Sequence, residues 1–135
     1  MKKDDCIFCK LANGEIPTNK VYEDEFFTAI LDLGPATKGH TLILPKEHAD
    51  CLFDLDEETA AKLTPLAKKL GKKLVDALHA EGMNVIQNNG EVAGQTVMHY
   101  HLHLIPRYKN DGQHLLWKPG EMGEGEAKEI LDALT

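Results

Sequence analysis

The segment His99-Tyr100-His101-Leu102-His103-Leu104-Ile105-Pro106-Arg107 sets an imidazole at every second position and an apolar side chain between. Alternation with period two reads as a β-strand with one buried face. The three imidazoles then share one side, and Tyr100, Leu102 and Leu104 pack on the other. The chain has seven histidines in 135 residues. Imidazole is the side chain whose unperturbed pKa lies near neutral pH, so a face of three points to proton transfer, nucleophilic attack or metal binding. The alternative is a row of solvated rings on an exposed sheet face.

Spacing separates these chemistries. Same-face neighbours on a strand lie ~6.6 Å apart, which puts His99 and His103 roughly 13 Å apart at Cα. A metal–nitrogen bond is only about 2.1 Å long, so one ion would struggle to collect all three rings. A division of labour along the strand follows. His101, with a same-face neighbour on each side, is the best-placed nucleophile.

A chain of this length fits one domain, residues 1–135, with a hydrophobic content of 42% for its core. It lacks an 18-residue apolar run, and the start Met1-Lys2-Lys3-Asp4-Asp5-Cys6 does not have the apolar stretch of a signal peptide. A cytoplasmic protein without a membrane partner is expected. The net charge of -7 argues against binding long nucleic acids, which needs a basic surface, but leaves a local pocket for one nucleotide open. Of the three cysteines, Cys6 and Cys9 form a CxxC pair that suits a metal better than a disulfide in a reducing compartment. Cys51 has no evident partner.

Periodicity and turn residues place a short helix or turn at 7–12, strands at 20–22, 26–31, 41–44 and 84–87, and a helical pattern over 54–81. Asp54 or Asp56 caps that helix, Leu63, Leu66, Leu70, Leu74 and Leu78 form its apolar stripe, and Gly82 fits its C-terminal cap. Pro65 should kink it or mark a second start. A last short helix covers 124–134. The sum is α+β: about five antiparallel strands, one main helix packed on them and a short C-terminal helix.

His99-Tyr100-His101-Leu102-His103-Leu104-Ile105 resembles the signature of the histidine triad (HIT) nucleotide-binding family, in which histidines alternate with apolar residues. The likeness extends over nearly the whole chain: Cys6-Ile7-Phe8-Cys9-Lys10, Ala29-Ile30-Leu31-Asp32, Gly39-His40-Thr41-Leu42-Ile43-Leu44-Pro45-Lys46-Glu47-His48 and Ala93-Gly94-Gln95-Thr96-Val97 match in order and spacing. The CxxC start and the Trp117-Lys118-Pro119-Gly120 tail resemble the phosphoramidase-type, Hint-like branch. The flanks Ala93 to Val97 and Leu104-Ile105-Pro106-Arg107 resemble the dinucleoside polyphosphate hydrolases.

The resemblance implies a HIT-like fold and an enzyme that cleaves at the α-phosphate of purine nucleoside phosphoramidates or adenylates, releasing nucleoside monophosphate. His101 would form a nucleotidyl-histidine intermediate, its other ring nitrogen held by a backbone carbonyl. His103 would steer the proton of the leaving group, and His40 would orient phosphate or relay protons. Gln95 and Thr96 are expected to hold phosphate or a bridging oxygen, with Gly94 letting the backbone approach closely. Asn88 matches a nucleotide-contacting position. Asp32, at a strand end, would accept the ribose hydroxyls. Ile7, Phe8 and Phe27 are candidate walls for the base.

Cys6, Cys9, His48 and His99 stand where some HIT relatives bind structural zinc, and Cys₂His₂ is a closed tetrahedral set. No organic cofactor is implied. A homodimer is implied, joined through the helix 54–81 and the strand 84–87, with the Trp117 segment approaching the partner's site. His79 and His114 have no matching role, and Arg107 and Lys109 read as solvated cations. Competing readings are a dinucleoside polyphosphate hydrolase, a zinc-stabilised nucleotide-binding sensor with little turnover, and a metalloenzyme with the triad as its metal site.

Overall fold

The computed structural model describes residues 3–135; Met1 and Lys2, part of the N-terminal stretch weighed as a leader, lie outside the described residues. The elements are α1 (Ile7–Ala12), β1 (Lys20–Glu23), β2 (Phe27–Leu31), β3 (Thr41–Pro45), α2 (Glu57–Leu78), β4 (Gly82–Ile86), β5 (Leu102–Arg107) and α3 (Glu126–Ala133). Short 3-10 turns stand at Leu52–Asp54 and Glu91–Ala93. The strands form one antiparallel sheet in the order β1-β2-β3-β5-β4. Among the described residues no helix is long and apolar enough to cross a membrane.

The alternating pattern sorts β3 and β5 to two faces. Ile43, Tyr100, Leu102 and Leu104 join Phe27 and Ala29 against Leu63, Leu66, Ala67 and Leu70 of α2. On the opposite face Ile30, Leu42 and Leu44 pack against Ala12, Phe8 and Leu11 of α1. The histidines therefore lie on the thinly covered side, under α1, while α2 closes the main core. Phe27 is 1% exposed within the α2-facing core, so it is not a wall of a ligand site.

Several boundaries differ from the sequence reading, each for a local reason. Asp56 caps α2, its carboxylate taking the Thr59 N–H at 2.7 Å, with Glu57 and Glu58 in the first turn. Pro65 sits inside α2 without dividing it. The carbonyl it leaves unbonded belongs to Ala61, and both residues are on the solvent face, where water can satisfy that group. The helix ends at Leu78 rather than near Gly82, with His79 in the left-handed region (φ 57°) as its cap. Gly82 instead opens β4 opposite Arg107, and the neighbouring Glu81 N–H bonds the Arg107 carbonyl at 2.8 Å. β5 begins at Leu102, so His99, Tyr100 and His101 form its lead-in, held by the Tyr100 N–H on the Ala49 carbonyl at 2.7 Å.

Candidate active site

The lead-in and β5 turn all three histidines toward α1. His99 is 0% exposed and His101 7%, which removes the solvated-face alternative. Phe8 of α1 meets His101 edge-on, with ring centroids 4.9 Å apart, and His101 meets His103 at 5.0 Å. Helix α1 is fixed there by Cys6, whose sulfur accepts the Cys9 N–H at 3.2 Å.

Backbone groups determine where each ring carries its proton. His101 Nδ1–H donates to the carbonyl of His99 at 2.7 Å, leaving the lone pair on Nε2. The Ala36 N–H donates to His40 Nδ1 at 2.9 Å, so the proton of neutral His40 is on Nε2. That proton points at His103 Nδ1, 2.9 Å away, and His103 in turn carries its own proton on Nε2. Burial holds His40 below the usual histidine range, against the pull of Asp32. Burial, with His101 and His40 adding to it, holds His103 at about 4. Both rings are therefore neutral at pH 7, as the bonding pattern requires. The same proton bars His40 Nε2 from ligating a metal, although Asp32, His40 and His103 place three donor atoms within 4.8 Å.

A cleft of about 370 Å³ opens beside these rings. Ile7, Phe8, Leu11, Ile16, Ile30 and Leu42 make its apolar wall; Asp32, Thr96, His101 and His103 supply its polar atoms. Asp32 follows β2, where its Oδ1 accepts the Gly34 N–H at 2.9 Å and its Oδ2 lies 3.5 Å from His40 Nε2. An apolar slot ending in a carboxylate and two imidazoles suits a flat base, a polyhydroxylated sugar and a phosphate in that order. The sequence reading missed the contribution of Leu11, Ile16, Pro17 and Thr18; their apolar or small character carries no signal apart from the fold.

Gln95 corrects the expectation made for it. Its side chain is 2% exposed and outside the cleft. Its Oε1 accepts the Gly90 N–H at 2.8 Å, and its Nε2 donates to the carbonyls of Asp50 at 2.6 Å and Val97 at 2.9 Å. With both N–H groups and an acceptor engaged, it ties the loop 88–97 to residue 50 and has no donor left for phosphate. Thr96, next in the chain, is the member of the pair that lines the cleft. Asn88 lies over Gly94, whose φ is +104°; a Cβ there would come within 3.3 Å of Asn88 Nδ2. His40 lines no part of the cleft and stands behind His103.

A second cluster sits at the other end of the lead-in. Cys6 Sγ is 3.3 Å from His99 Nδ1, Cys9 Sγ is 3.4 Å from His99 Nδ1, and Cys9 Sγ is 3.3 Å from His48 Nδ1. The four donor atoms all lie within 4.8 Å of one another. His99 Nε2–H donates to the Pro45 carbonyl at 2.9 Å and His48 Nε2–H to Asp50 at 2.6 Å, so both Nδ1 lone pairs face the sulfurs. Tetrahedral zinc with ordinary bond lengths separates sulfur and nitrogen by about 3.5 Å, close to these spacings. Burial pushes the Cys9 thiol up. The residues fit zinc, including the outer hydrogen bonds that orient ligating histidines.

The remaining candidates fall elsewhere. His79 caps α2, and His114 is exposed on the tail. Arg107 is not a free solvated cation: it pairs with Asp111 at 2.8 Å and donates to Asn84 at 2.8 Å. Cys51 donates to Asp54 at 3.6 Å. Trp117 is 80% exposed.

A family model of the HIT domain matches residues 13–110. The adenosine 5'-monophosphoramidase hnt1 of Schizosaccharomyces pombe is 46% identical over 102 residues, covering 76% of this chain and 74% of its own. The crystal structure of SMU.412c from Streptococcus mutans superposes with a TM-score of 0.92 at 41% identity, covering 98% of this chain and 85% of that one. A zinc-bound histidine triad family protein from Mycobacterium smegmatis superposes with a TM-score of 0.77 at 37% identity, covering 97% and 98%. The alternating rings, the cleft under α1 and these likenesses agree, and the chain belongs to the HIT family.

Proposed function

We propose that this protein hydrolyses purine nucleoside phosphoramidates and related adenylates at the α-phosphate, through a nucleotidyl group carried on His101. The observation that carries this reading is the His101 ring: it lines the cleft with Nδ1 tied to the His99 carbonyl, so the lone pair of Nε2 is the free nucleophile. Neutral imidazole attacks phosphorus at neutral pH, and the carbonyl at Nδ1 stabilises the positive charge that develops on the ring.

In the first step His101 Nε2 bonds the α-phosphorus and the bond to the leaving group breaks. His103 Nε2–H hydrogen-bonds the departing atom and stabilises it as it takes a proton from solution, so His103 itself stays neutral. In the second step water attacks the same phosphorus, its proton passes to solution, and the phosphorus–nitrogen bond breaks to free His101 with release of the nucleoside monophosphate. Asp32 accepts the ribose hydroxyls, Thr96 meets the phosphate, and Ile7 and Phe8 flank the base. Asn88 would contact the nucleotide from across Gly94, and His40 keeps His103 in its donating tautomer. The amidase named among the relatives supports a leaving nitrogen.

Cys6, Cys9, His48 and His99 would hold zinc, which supplies a structural cross-link between α1, residue 48 and the catalytic lead-in. The zinc-bound relative supports this assignment. The chain would act as one HIT domain, residues 1–135, in the cytoplasm, as a homodimer. An apolar groove of about 660 Å³ along α2 and β4, lined by Leu63, Ala67, Val75, Met83 and Val85, supports pairing through that face. Sedimentation of Val85→Glu checks it; a monomer is expected.

The deciding experiment measures AMP release from adenosine 5'-phosphoramidate and from diadenosine tetraphosphate, using wild type and His101→Ala. Faster turnover of the phosphoramidate, lost in the variant, is the expected result. Preference for the tetraphosphate would move the protein to the dinucleoside polyphosphate hydrolases, and turnover untouched by the substitution would refute the covalent mechanism.

A further inference from the structure

The segment leaving β5 grips the loop that follows β2, and the grip reaches the histidine pair. Gln113 Nε2 donates to the Ala36 carbonyl at 2.9 Å. The N–H of the same Ala36 sets the tautomer of His40, and His40 Nε2–H sets that of His103. Gln113 is itself held at both backbone ends. Its carbonyl accepts from the Arg107 guanidinium at 2.8 Å, and its N–H donates to Asp111 Oδ1 at 3.0 Å. Arg107 and Asp111 pair through two further contacts, at 2.8 and 3.0 Å. The Tyr108 hydroxyl donates to the Lys38 carbonyl at 2.8 Å, and Thr37 donates to the Pro106 carbonyl, so the same two segments are joined at two further points beside the Gln113 contact.

The consequence is chemical as well as mechanical. His40 is buried, and the Ala36 N–H is the hydrogen bond at its Nδ1, while the Asp32 carboxylate 3.5 Å from Nε2 also favours a proton there. If Ala36 turned away, His40 could carry its proton on either nitrogen. With the proton on Nδ1, His40 Nε2 becomes an acceptor facing His103 Nδ1. His103 then has to place its proton on Nδ1, and its Nε2 turns from donor to acceptor. A nucleotide in the cleft would meet a lone pair where the leaving atom needs a proton.

We propose that Gln113, clamped by Arg107 and Asp111, is a positioning residue that fixes the proton pattern of His40 and His103 through Ala36. Its catalytic consequence rests on the hydrolase reading above; its effect on the tautomers does not. The test substitution is Gln113→Met, which keeps side-chain length and removes the donor. The first measurement is the ¹⁵N NMR of labelled imidazoles. Wild type should show His40 and His103 protonated at Nε2, and Gln113→Met should populate the Nδ1-protonated form of both. A single wild-type pattern in the variant overturns the proposal.

The second measurement compares AMP release from an alkylamine phosphoramidate, whose leaving group needs a proton, with release from the p-nitrophenyl ester, whose leaving group does not. Gln113→Met should lose roughly tenfold or more on the amine and less than about twofold on the ester, since a hydrogen-bond donor at the departing atom matters chiefly for the former. Equal losses on both substrates overturn the proposal. Arg107→Lys, which weakens the hold on Gln113, should give the same selective loss in smaller measure and serves if Gln113→Met does not fold. If wild type releases nucleotide from neither substrate, the hydrolase reading fails, and the NMR pattern alone decides the role of Gln113.

Discussion

His99 and His101 are two residues apart, both are buried, and each donates one N–H to a backbone carbonyl, yet they face opposite tasks. His99 donates from Nε2, which leaves Nδ1 aimed at Cys6 and Cys9. His101 donates from Nδ1, which leaves Nε2 toward the cleft. Which ring nitrogen meets a carbonyl decides whether the free lone pair faces the two sulfurs or the cleft. His103 makes a third case: it accepts at Nδ1 from His40 and so presents a proton instead of a lone pair. The lead-in and β5 supply three rings at every second position, and the surrounding carbonyls and N–H groups decide which nitrogen of each is free.

The largest test of this contrast exchanges nothing but the ring. His101→Ala should lower nucleotide release by about 10⁴-fold or more, an expected size for removing a covalent nucleophile, and should leave the zinc content of the purified protein unchanged. His99→Ala should do the reverse in metal analysis and release bound zinc. Loss of metal from the His101 variant would mean that the triad itself is the metal site and would break the comparison.

Zinc removal ranks next. A ligand present at a thousand times its Kd stabilises the folded state by about 4 kcal/mol, so a chelator should reduce unfolding free energy by about that amount. The effect should vanish in Cys9→Ala, which has already lost the site. An unfolding midpoint indifferent to the chelator in wild type would show that the four donors hold no ion.

The sequence revealed most where a pattern is local. Period two located β5 and sorted Tyr100, Leu102 and Leu104 from the histidines; Asp56, Glu57 and Glu58 announced the start of α2. It misled where a role depends on groups far along the chain. Gln95 stands beside Thr96 in a loop that reads as a phosphate cradle, but its amide is consumed by Gly90, Val97 and the carbonyl of Asp50, 45 residues earlier. Arg107 reads as a solvated cation because neither Asn84 nor the turn at Asp111 is visible as its partner in one dimension. His40 illustrates the limit most sharply: the sequence marks the ring, while the proton on it is decided by Ala36 in a loop without a motif.

Gln95 gives the third test. Gln95→Met keeps its volume but strands one buried N–H and two carbonyls, at a cost of about 3 kcal/mol in unfolding free energy. If Gln95 supports the loop and does not touch phosphate, KM and kcat for the folded variant should change together and modestly, as expected for a displaced Thr96. A selective loss of turnover rate, about a hundredfold or more with KM and stability intact, would restore a direct role in the transition state.

The smallest effect lies in the pH dependence of stability. His103 titrates at about 4 in the folded chain against 6.5 in a free one, because burial disfavours the charged ring and His101 and His40 add to that. Its folded pKa is therefore depressed for a base. Between pH 6.5 and about 4 the unfolded chain binds a proton at this position and the folded chain does not. Stability must rise with pH across that window, fall as acid is added, and become independent of this group below about pH 4. The clean measurement is a difference: unfolding free energy of wild type minus that of His103→Gln, at several pH values and without zinc in both proteins. The difference should shift against the wild type as pH falls from 6.5 to about 4 and then level off. A flat difference would mean that His103 keeps an ordinary pKa and becomes protonated, with Nδ1 a donor, only once the pH falls below about 6.5. The His40 bond would then be lost already in mild acid, and His103 would keep the neutral donor form that sets it apart from His99 and His101 only near and above neutral pH.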